Sequence, residues 1–256
     1  MSSCSHNRSV KEENKSLTVE DIKQSLLPAF RGVWVKTDYI TAIEKTKSPA
    51  KSSAKLQGFV TLIIDKEAVG DSLEIGSSYS NHMGDFFYLY LKTGVTQRNL
   101  KTSISDNDDK TNFFELGVDI TESDTVLFIC HYDKTNRLLD KNQFTKVSNK
   151  QIDDDASWGL QYIVNEKLFA GDYKLIDSTG TASNIHFNSD GSVTGFRDFK
   201  NYKVWTDFAA PGPDDNISDA IFFTDERENE TGFDFEFKGN TLILKKARQT
   251  TTLLKQ

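Results

Sequence analysis

The stretch FRGVWV (Phe30–Val35) decides how this chain is interpreted, because it returns later as FAGDYK (Phe169–Lys174). Both copies read Phe-x-Gly-x-aromatic, and each stands at the start of a stretch rich in β-forming residues. Self-similarity of this kind is typical of a duplicated structural unit. The sequence therefore predicts two β-modules of one design.

Length and composition are compatible with two domains, each with a hydrophobic core of its own. The chain has 256 residues, enough for one large or two ordinary domains. Its 18 Phe and only 4 Pro suit half-buried strands. The net charge of −7 argues against a nucleic-acid partner, because a phosphate backbone requires a basic surface. We therefore expect no nucleic acid among its ligands.

Local patterns predict an all-β chain with one short helix before the first strand. Thr18 is a good N-cap with Asp21 three residues later, so a helix is expected over residues 18–27, ending at Pro28. Short strands with few intervening helices indicate antiparallel β-structure, and closure into barrels would remove exposed edges. The predicted strands are Gly32–Asp38, Phe59–Ile64, Phe86–Leu91, Phe113–Ile120, Thr125–Tyr132, Gln143–Val147, Tyr202–Thr206, Ala220–Phe223, Phe233–Phe237 and Thr241–Leu244.

The two cysteines have different expected roles. Cys4 follows two small residues and precedes a polar Ser/Asn/Lys/Glu tract, which has too little apolar surface to fold. This arrangement predicts a lipid attached at Cys4 on a flexible tether, and the alternative is a stray cysteine in a disordered terminus. Cys130 lies inside an apolar strand, where a free thiol packs as a small hydrophobic group.

The Gly-x-aromatic signatures carry a family resemblance. Gly32 with Trp34, and Gly171 with Tyr173, each follow a short helical segment and precede a meander of antiparallel strands. This arrangement resembles the lipocalin-like (calycin) β-barrels. The resemblance implies two tandem antiparallel barrels in which Trp34 and Tyr173 pack across the closed end.

Longer sequence segments extend the resemblance to most of the chain. WVKTDYI (Trp34–Ile40) with KTKSP (Lys45–Pro49), and DGSVTGF (Asp190–Phe196) with FKNY (Phe199–Tyr202), are similar to secreted lipoproteins of Bacteroidetes-type bacteria. The resemblance implies an outer-membrane lipoprotein of the bacterial cell envelope, held to the membrane by its lipid and facing the periplasm or the surface. It implies no activity and no catalytic residue.

These observations predict four segments. Residues 1–17 form a disordered lipoprotein tether, and residues 18–148 form the first barrel with its helix. Residues 149–157 form an acidic linker, and residues 158–256 form a second, smaller barrel that we expect to be tight or incomplete.

Sequence motifs typical of catalysis, phosphate binding or metal binding are sparse. No Gly-x-Ser-x-Gly, phosphate-binding or zinc pattern occurs, so the sequence predicts no catalytic residue, no cofactor and no metal site. His82 is the one histidine in a predicted loop, and Asp85 lies near it, which would suit a general base or a single metal ligand. The alternative is an ordinary polar turn. The residues that we expect to contact a ligand are Tyr39, Tyr79, His82, Asp85 and Tyr88, although most aromatic side chains are expected in the core.

We therefore expect a non-enzymatic, lipid-anchored binding protein of the cell envelope. Its ligand would be a small apolar or amphipathic molecule in the first barrel. The alternative is a structural or protein-interaction subunit of an envelope assembly. A third, enzymatic option would require His82 or several carboxylates to meet in a solvent-reachable cleft.

Overall fold

A computed structural model describes residues 17–121, 124–152, 154–176, 182–208 and 218–256. Cys4 and all but the last residue of the predicted tether lie outside these ranges, so the predictions for the tether are not addressed by the structure.

The first eight strands form a closed antiparallel barrel in simple up-and-down order, and the last strand pairs with the first. Each strand pairs with its sequence neighbour, which is the arrangement expected where connections are short. The strands are β1 Gly32–Lys36, β2 Phe59–Ile64, β3 Ser72–Tyr79, β4 Met83–Thr93, β5 Asn99–Ser105, β6 Phe113–Ile120, β7 Thr125–Tyr132 and β8 Leu138–Ser148.

The remaining eight strands form a second antiparallel sheet in the order β11-β10-β9-β16-β15-β14-β13-β12. This sheet is nearly closed, because the Tyr202 amide donates to the Gly191 carbonyl at 2.6 Å across the gap between β11 and β12. The predicted all-β class with two tandem lipocalin-like barrels is confirmed. The strands are β9 Gly171–Ile176, β10 Ala182–Phe187, β11 Val193–Thr194, β12 Phe199–Val204, β13 Ala220–Asp225, β14 Glu230–Lys238, β15 Thr241–Lys246 and β16 Gln249–Lys255.

A helix precedes each barrel, and we call these the first and second lead helices. The first consists of Val19–Asp21, a π-helical turn Ile22–Leu26, and Leu27–Phe30; the second consists of Trp158–Val164 and a π-helical turn Asn165–Phe169. Thr18 and Asp21 form the expected reciprocal cap. The first lead helix does not end at Pro28 as predicted. Pro28 lies in the first turn of the segment Leu27–Phe30, where its missing N–H is tolerated.

The connection between β1 and β2 is helical, which the sequence prediction missed in part. β1 ends at Lys36 rather than Asp38, and a helix Thr37–Thr46 follows, with two further turns at Pro49–Ser52 and Ser53–Leu56. Tyr39, Ile40 and Ile43 are buried on one face of this helix, so tertiary packing overrides the strand propensity of its β-branched residues.

The repeated phrase has the same geometry in both barrels. Gly32 and Gly171 have φ values of 129° and 132°, which residues with side chains rarely adopt. Two residues later, the side chains of Trp34 and Tyr173 are 0% exposed. Trp34 donates its indole N–H to the carbonyl of Phe30 at 2.7 Å, at the end of its lead helix. The glycine therefore turns the chain so that the aromatic ring returns beneath the helix that precedes it.

A lysine from the last strand of each barrel completes this closure. Lys146 Nζ lies 5.6 Å from the centre of the Trp34 ring, and Lys255 Nζ lies 5.5 Å from that of Tyr173. Burial lowers the pKa of both lysines. The cation over the ring is a favourable interaction, worth roughly 0.5–2 kcal/mol depending on its exposure. The sequence analysis did not identify either lysine.

The two barrels have different interiors. The first is filled near its lead helix by a cluster of mostly aliphatic side chains that includes Leu73, Leu89, Leu116 and Phe144. The second is filled largely by aromatic rings in mutual contact, with centres about 5–6 Å apart, among them Phe169, Tyr173, Phe187, Phe196, Tyr202, Phe223, Phe233 and Phe235.

The second lead helix also packs on the outside of the first barrel. A Cβ placed on Gly159 would lie 2.5 Å from Val33 Cγ1 and 3.5 Å from Val35 Cγ2, so only glycine permits this approach. Trp158 packs beside it on Val33 and Ile63. The two barrels therefore meet through a close, apolar contact.

Replacing Gly32 with alanine tests the closure. The new Cβ would lie 2.6 Å from the Ser148 carbonyl oxygen in addition to the unfavourable φ. We expect the free energy of unfolding to fall by about 2–4 kcal/mol, because backbone strain and overpacking each cost on the order of 1–3 kcal/mol. Guanidinium unfolding followed by tryptophan fluorescence measures this loss.

Gly239→Ala is the matched control. Gly239 also has a positive φ of 58°, but nothing lies within 4 Å of its Cβ position. Its replacement should cost only about 1 kcal/mol. Equal losses in the two variants would show that the close approach at Gly32 contributes nothing.

Candidate functional site

The first barrel is closed at one end and open at the other. The first lead helix closes the end where β1 begins, since Ile22, Leu26 and Phe30 belong to the same buried cluster as Trp34. At the opposite end lies an open cavity of about 680 Å³, which we call the mouth. This volume falls within the ~300–1,000 Å³ that is usual for small-molecule sites.

One part of the lining of the mouth is apolar and largely aromatic, and the rest is polar. Phe59, Phe87, Ile104 and Phe114 line it and pack against the buried cluster below. Phe59 makes edge-to-face contacts with Tyr79 at 5.4 Å and with Phe87 at 5.6 Å between ring centres. These side chains offer a ligand a rigid apolar floor, because aromatic pairs of this geometry hold one another in place.

Asp106 is the most constrained polar group of the mouth. Its Oδ1 accepts the backbone N–H groups of Asp108 at 2.8 Å and Asp109 at 3.2 Å. Its Oδ2 accepts the Asn112 amide at 2.9 Å and lies 2.9 Å from His131 Nε2. These hydrogen bonds, the Asn112 amide first, lower the pKa of Asp106 to about 2. The carboxylate is therefore ionised and fully occupied as an acceptor.

This arrangement fixes the role of His131. Because ionised Asp106 can only accept, the hydrogen between the two groups lies on His131 Nε2. The ring stacks on Phe114 with centres 4.2 Å apart and planes 7° apart. His131 thus joins the apolar floor to the polar rim.

The five predicted ligand residues divide between four places, and the place of His82 is described in the next paragraph. Tyr79 and Asp85 line the mouth, where Asp85 Oδ1 accepts the Phe86 amide at 2.8 Å. Tyr88 is half-exposed beside Phe86, with ring centres 5.9 Å apart. Tyr39 is fully buried among the residues that join the barrels, and burial raises the pKa of its hydroxyl. Tyr39 is therefore inaccessible to a ligand in this structure.

His82 is paired with a residue of the second barrel rather than with Asp85. Its Nδ1 lies 3.1 and 3.2 Å from the two carboxylate oxygens of Asp207. Both residues line a smaller cleft between the barrels. The sequence offered no sign of this partnership, because 125 positions separate the two residues.

Asp106 and His131 are mouth residues that the sequence analysis missed. A signal for His131 was present, since it continues the two-residue alternation of Leu127 and Ile129, both of which point into the core. Asp106 opens the Asp-Asn-Asp-Asp turn, in which an aspartate commonly accepts backbone N–H groups.

No protein-family model and no curated protein sequence matches the chain. Among the described residues, no group of three or more His, Cys, Asp or Glu side chains could hold a metal ion. In the same part of the chain, no helix has both the length and the apolar character needed to cross a membrane.

Asn112→Ala tests the electrostatics of the mouth. The amide of Asn112 is the largest cause of the low pKa of Asp106, so its loss should raise that pKa from about 2 towards the ordinary value of 3.8. Because the folded-state pKa is depressed, the stability that Asp106 contributes is present above about pH 4 and lost as the pH falls towards 2. Carboxyl-carbon NMR titration reads the pKa directly. An unchanged midpoint would contradict the assigned network.

Proposed function

We propose that this protein binds a small amphipathic molecule in the mouth of the first barrel. The observation that carries the proposal is the open cavity of about 680 Å³, with an aromatic floor and a polar rim. Barrel architecture is compatible with such a role. The second barrel, filled with aromatic rings, serves as a support in this account.

The rim favours a head group that donates hydrogen bonds or carries a positive charge. Asp85, Asp106 and Asp108 place three carboxylates in the lining. A carboxylate head group would meet like charges there, which is unfavourable. A long-chain amine or alcohol therefore fits the mouth better than a fatty acid.

We propose further that a lipid on Cys4 holds the protein at the outer membrane of a bacterial cell envelope. The support is the sequence alone: small residues before Cys4, a polar tract after it, and the resemblance to Bacteroidetes-type lipoproteins. A binding domain held at the membrane by this lipid would meet amphipathic molecules close to the bilayer.

A structural or protein-interaction role in an envelope assembly is the second candidate. The observation in its favour is an exposed row of aromatic side chains, Phe86, Tyr88 and Tyr90, at alternate positions of β4. In that case the function would depend on this outer face and not on the mouth.

Competition between three amphiphiles tests the proposed ligand class. Dodecylamine should displace the fluorescent apolar probe N-phenyl-1-naphthylamine most strongly, dodecanol less, and dodecanoate least, because the rim is acidic. Ile104→Trp should weaken probe binding by about tenfold or more, since the larger side chain fills the cavity. Fluorescence titration of the full chain measures both effects.

Ile120→Trp is the matched control, because Ile120 is exposed at the far end of β6. It should bind the probe as the unaltered protein does. Equal affinity in the Ile104→Trp variant, or a preference for dodecanoate, would exclude the mouth as described.

Cys4→Ala tests the anchor. Expressed in a bacterial host behind a lipoprotein signal peptide, the unaltered protein should sediment with membranes and carry acyl chains on Cys4. The Cys4→Ala variant should be released, because without Cys4 it has no acyl chain to hold it in the membrane. Mass spectrometry of the N-terminal peptide provides the measurement. A non-acylated Cys4, or a variant that stays on the membrane, would overturn the anchor and leave the mouth unaffected.

A further inference from the structure

The cleft between the two barrels contains buried oxygens that lack hydrogen-bond partners. It has a volume of about 210 Å³ and is lined by the β3–β4 turn on one side and by β12 and the residues after it on the other. Ser78 and Asn81 both line it, and they are only 2% and 7% exposed. Neither Ser78 Oγ nor Asn81 Oδ1 has a hydrogen-bond partner among the described residues.

The orientation of the Asn81 amide is determined by the second barrel. Its nitrogen donates to the Thr206 carbonyl at 2.9 Å and lies 3.1 Å from the Thr206 hydroxyl. If the amide turned over, Oδ1 would face the Thr206 carbonyl, which can only accept, so the nitrogen stays on this side and Oδ1 stays without a donor. An unpaired buried acceptor costs on the order of 1–3 kcal/mol, and each such group in a folded protein needs an explanation.

The turn that carries Asn81 is itself strained. Ser80 and Asn81 have φ values of 50°, the pair of left-handed residues that a type I′ hairpin turn requires. Asn adopts this conformation readily, but Ser does so at a cost. Strain of this kind persists where the surroundings hold it in place, and it is frequent at binding sites.

The other residues that line the cleft indicate which kind of ligand it would bind. Trp205 is 44% exposed and lines the cleft, which gives a flat apolar surface. Asp207 with His82, and Asp155 with Lys203 at 3.9 Å, add polar groups of both signs. The two carboxylates disfavour an anion, and the polar walls disfavour a purely apolar molecule. The volume lies below that of sites for drug-sized ligands, about 300–1,000 Å³.

We propose that this cleft is a second binding site, for a small neutral hydroxylated ring compound of the monosaccharide class. Its hydroxyl groups would donate to Asn81 Oδ1 and pair with Ser78 Oγ, and its apolar C–H face would stack on Trp205. Because the walls come from both barrels, the bound ring would also hold them together. The site is separate from the mouth and independent of the ligand proposed there.

Saturation-transfer NMR on the full chain tests the proposal, with D-glucose, D-galactose, D-mannose and N-acetyl-D-glucosamine as probes. At least one of these sugars should receive saturation. Trp205→Ala and Ser78→Ala should each weaken its binding about tenfold or more. Tyr90→Ala removes an aromatic side chain of similar exposure, 40%, outside the cleft and should leave binding unchanged, as should Ile104→Trp in the mouth.

Thermal melting without sugar gives a second, independent readout. Since the Ser78 hydroxyl has no hydrogen-bond partner among the described residues, Ser78→Ala should melt at the same temperature as the unaltered protein or higher. A clearly lower melting temperature would show that the hydroxyl is satisfied without a ligand. That result, the absence of saturation transfer to every sugar, or unchanged binding in Trp205→Ala and Ser78→Ala would overturn the proposal.

Discussion

Gly159 allows the second lead helix to lie directly on the wall of the first barrel, and the arrangement of the two barrels depends on this contact. One side of the helix meets Val33 and Val35 of β1. Its last residue, Phe169, lies in the aromatic core of the second barrel. One element thus packs on the outer wall of the first barrel and in the core of the second, and the barrels are held at a distance where Asn81 reaches Thr206. The cleft between them follows from that spacing.

The two barrels share one means of closure and differ in what fills them. In each, a glycine with positive φ directs an aromatic ring beneath a lead helix, and a lysine from the last strand lies over the ring. Above this common end, the second barrel packs large rings against one another. The first uses mainly smaller aliphatic residues below and leaves an open cavity above. The two barrels therefore share the construction of their closed ends and differ at the opposite ends.

The features that were predictable from the sequence are local. The repeated phrase, the Thr18 cap and the alternation of Phe233 and Phe235 with polar residues all depend on neighbours within a few positions, and each predicted its element. The helix Thr37–Thr46 was missed because its residues favour strands in isolation and become helical by packing Tyr39 and Ile43 into the contact between the barrels.

The site was less predictable, because its residues meet across long distances in sequence. Tyr79 and Asp85 were identified from their types and do line the mouth. Asp106 with His131, and His82 with Asp207, are pairs that only the barrel topology and the docking of the barrels bring together. No spacing rule connects such residues in one sequence. The same reason explains why Lys146 and Lys255 were not recognised as partners of the two aromatic rings.

We propose that the first barrel binds a ligand at its open end and that the second does not. Methyl NMR of the full chain during titration with dodecylamine tests this claim most directly, because isoleucine reports on both interiors. The signals of Ile104 and its neighbours in the mouth should shift, while those of Ile185 and Ile221 in the second barrel should stay in place. Shifts at Ile185 and Ile221, or no shift at Ile104 at saturating amine, would contradict it.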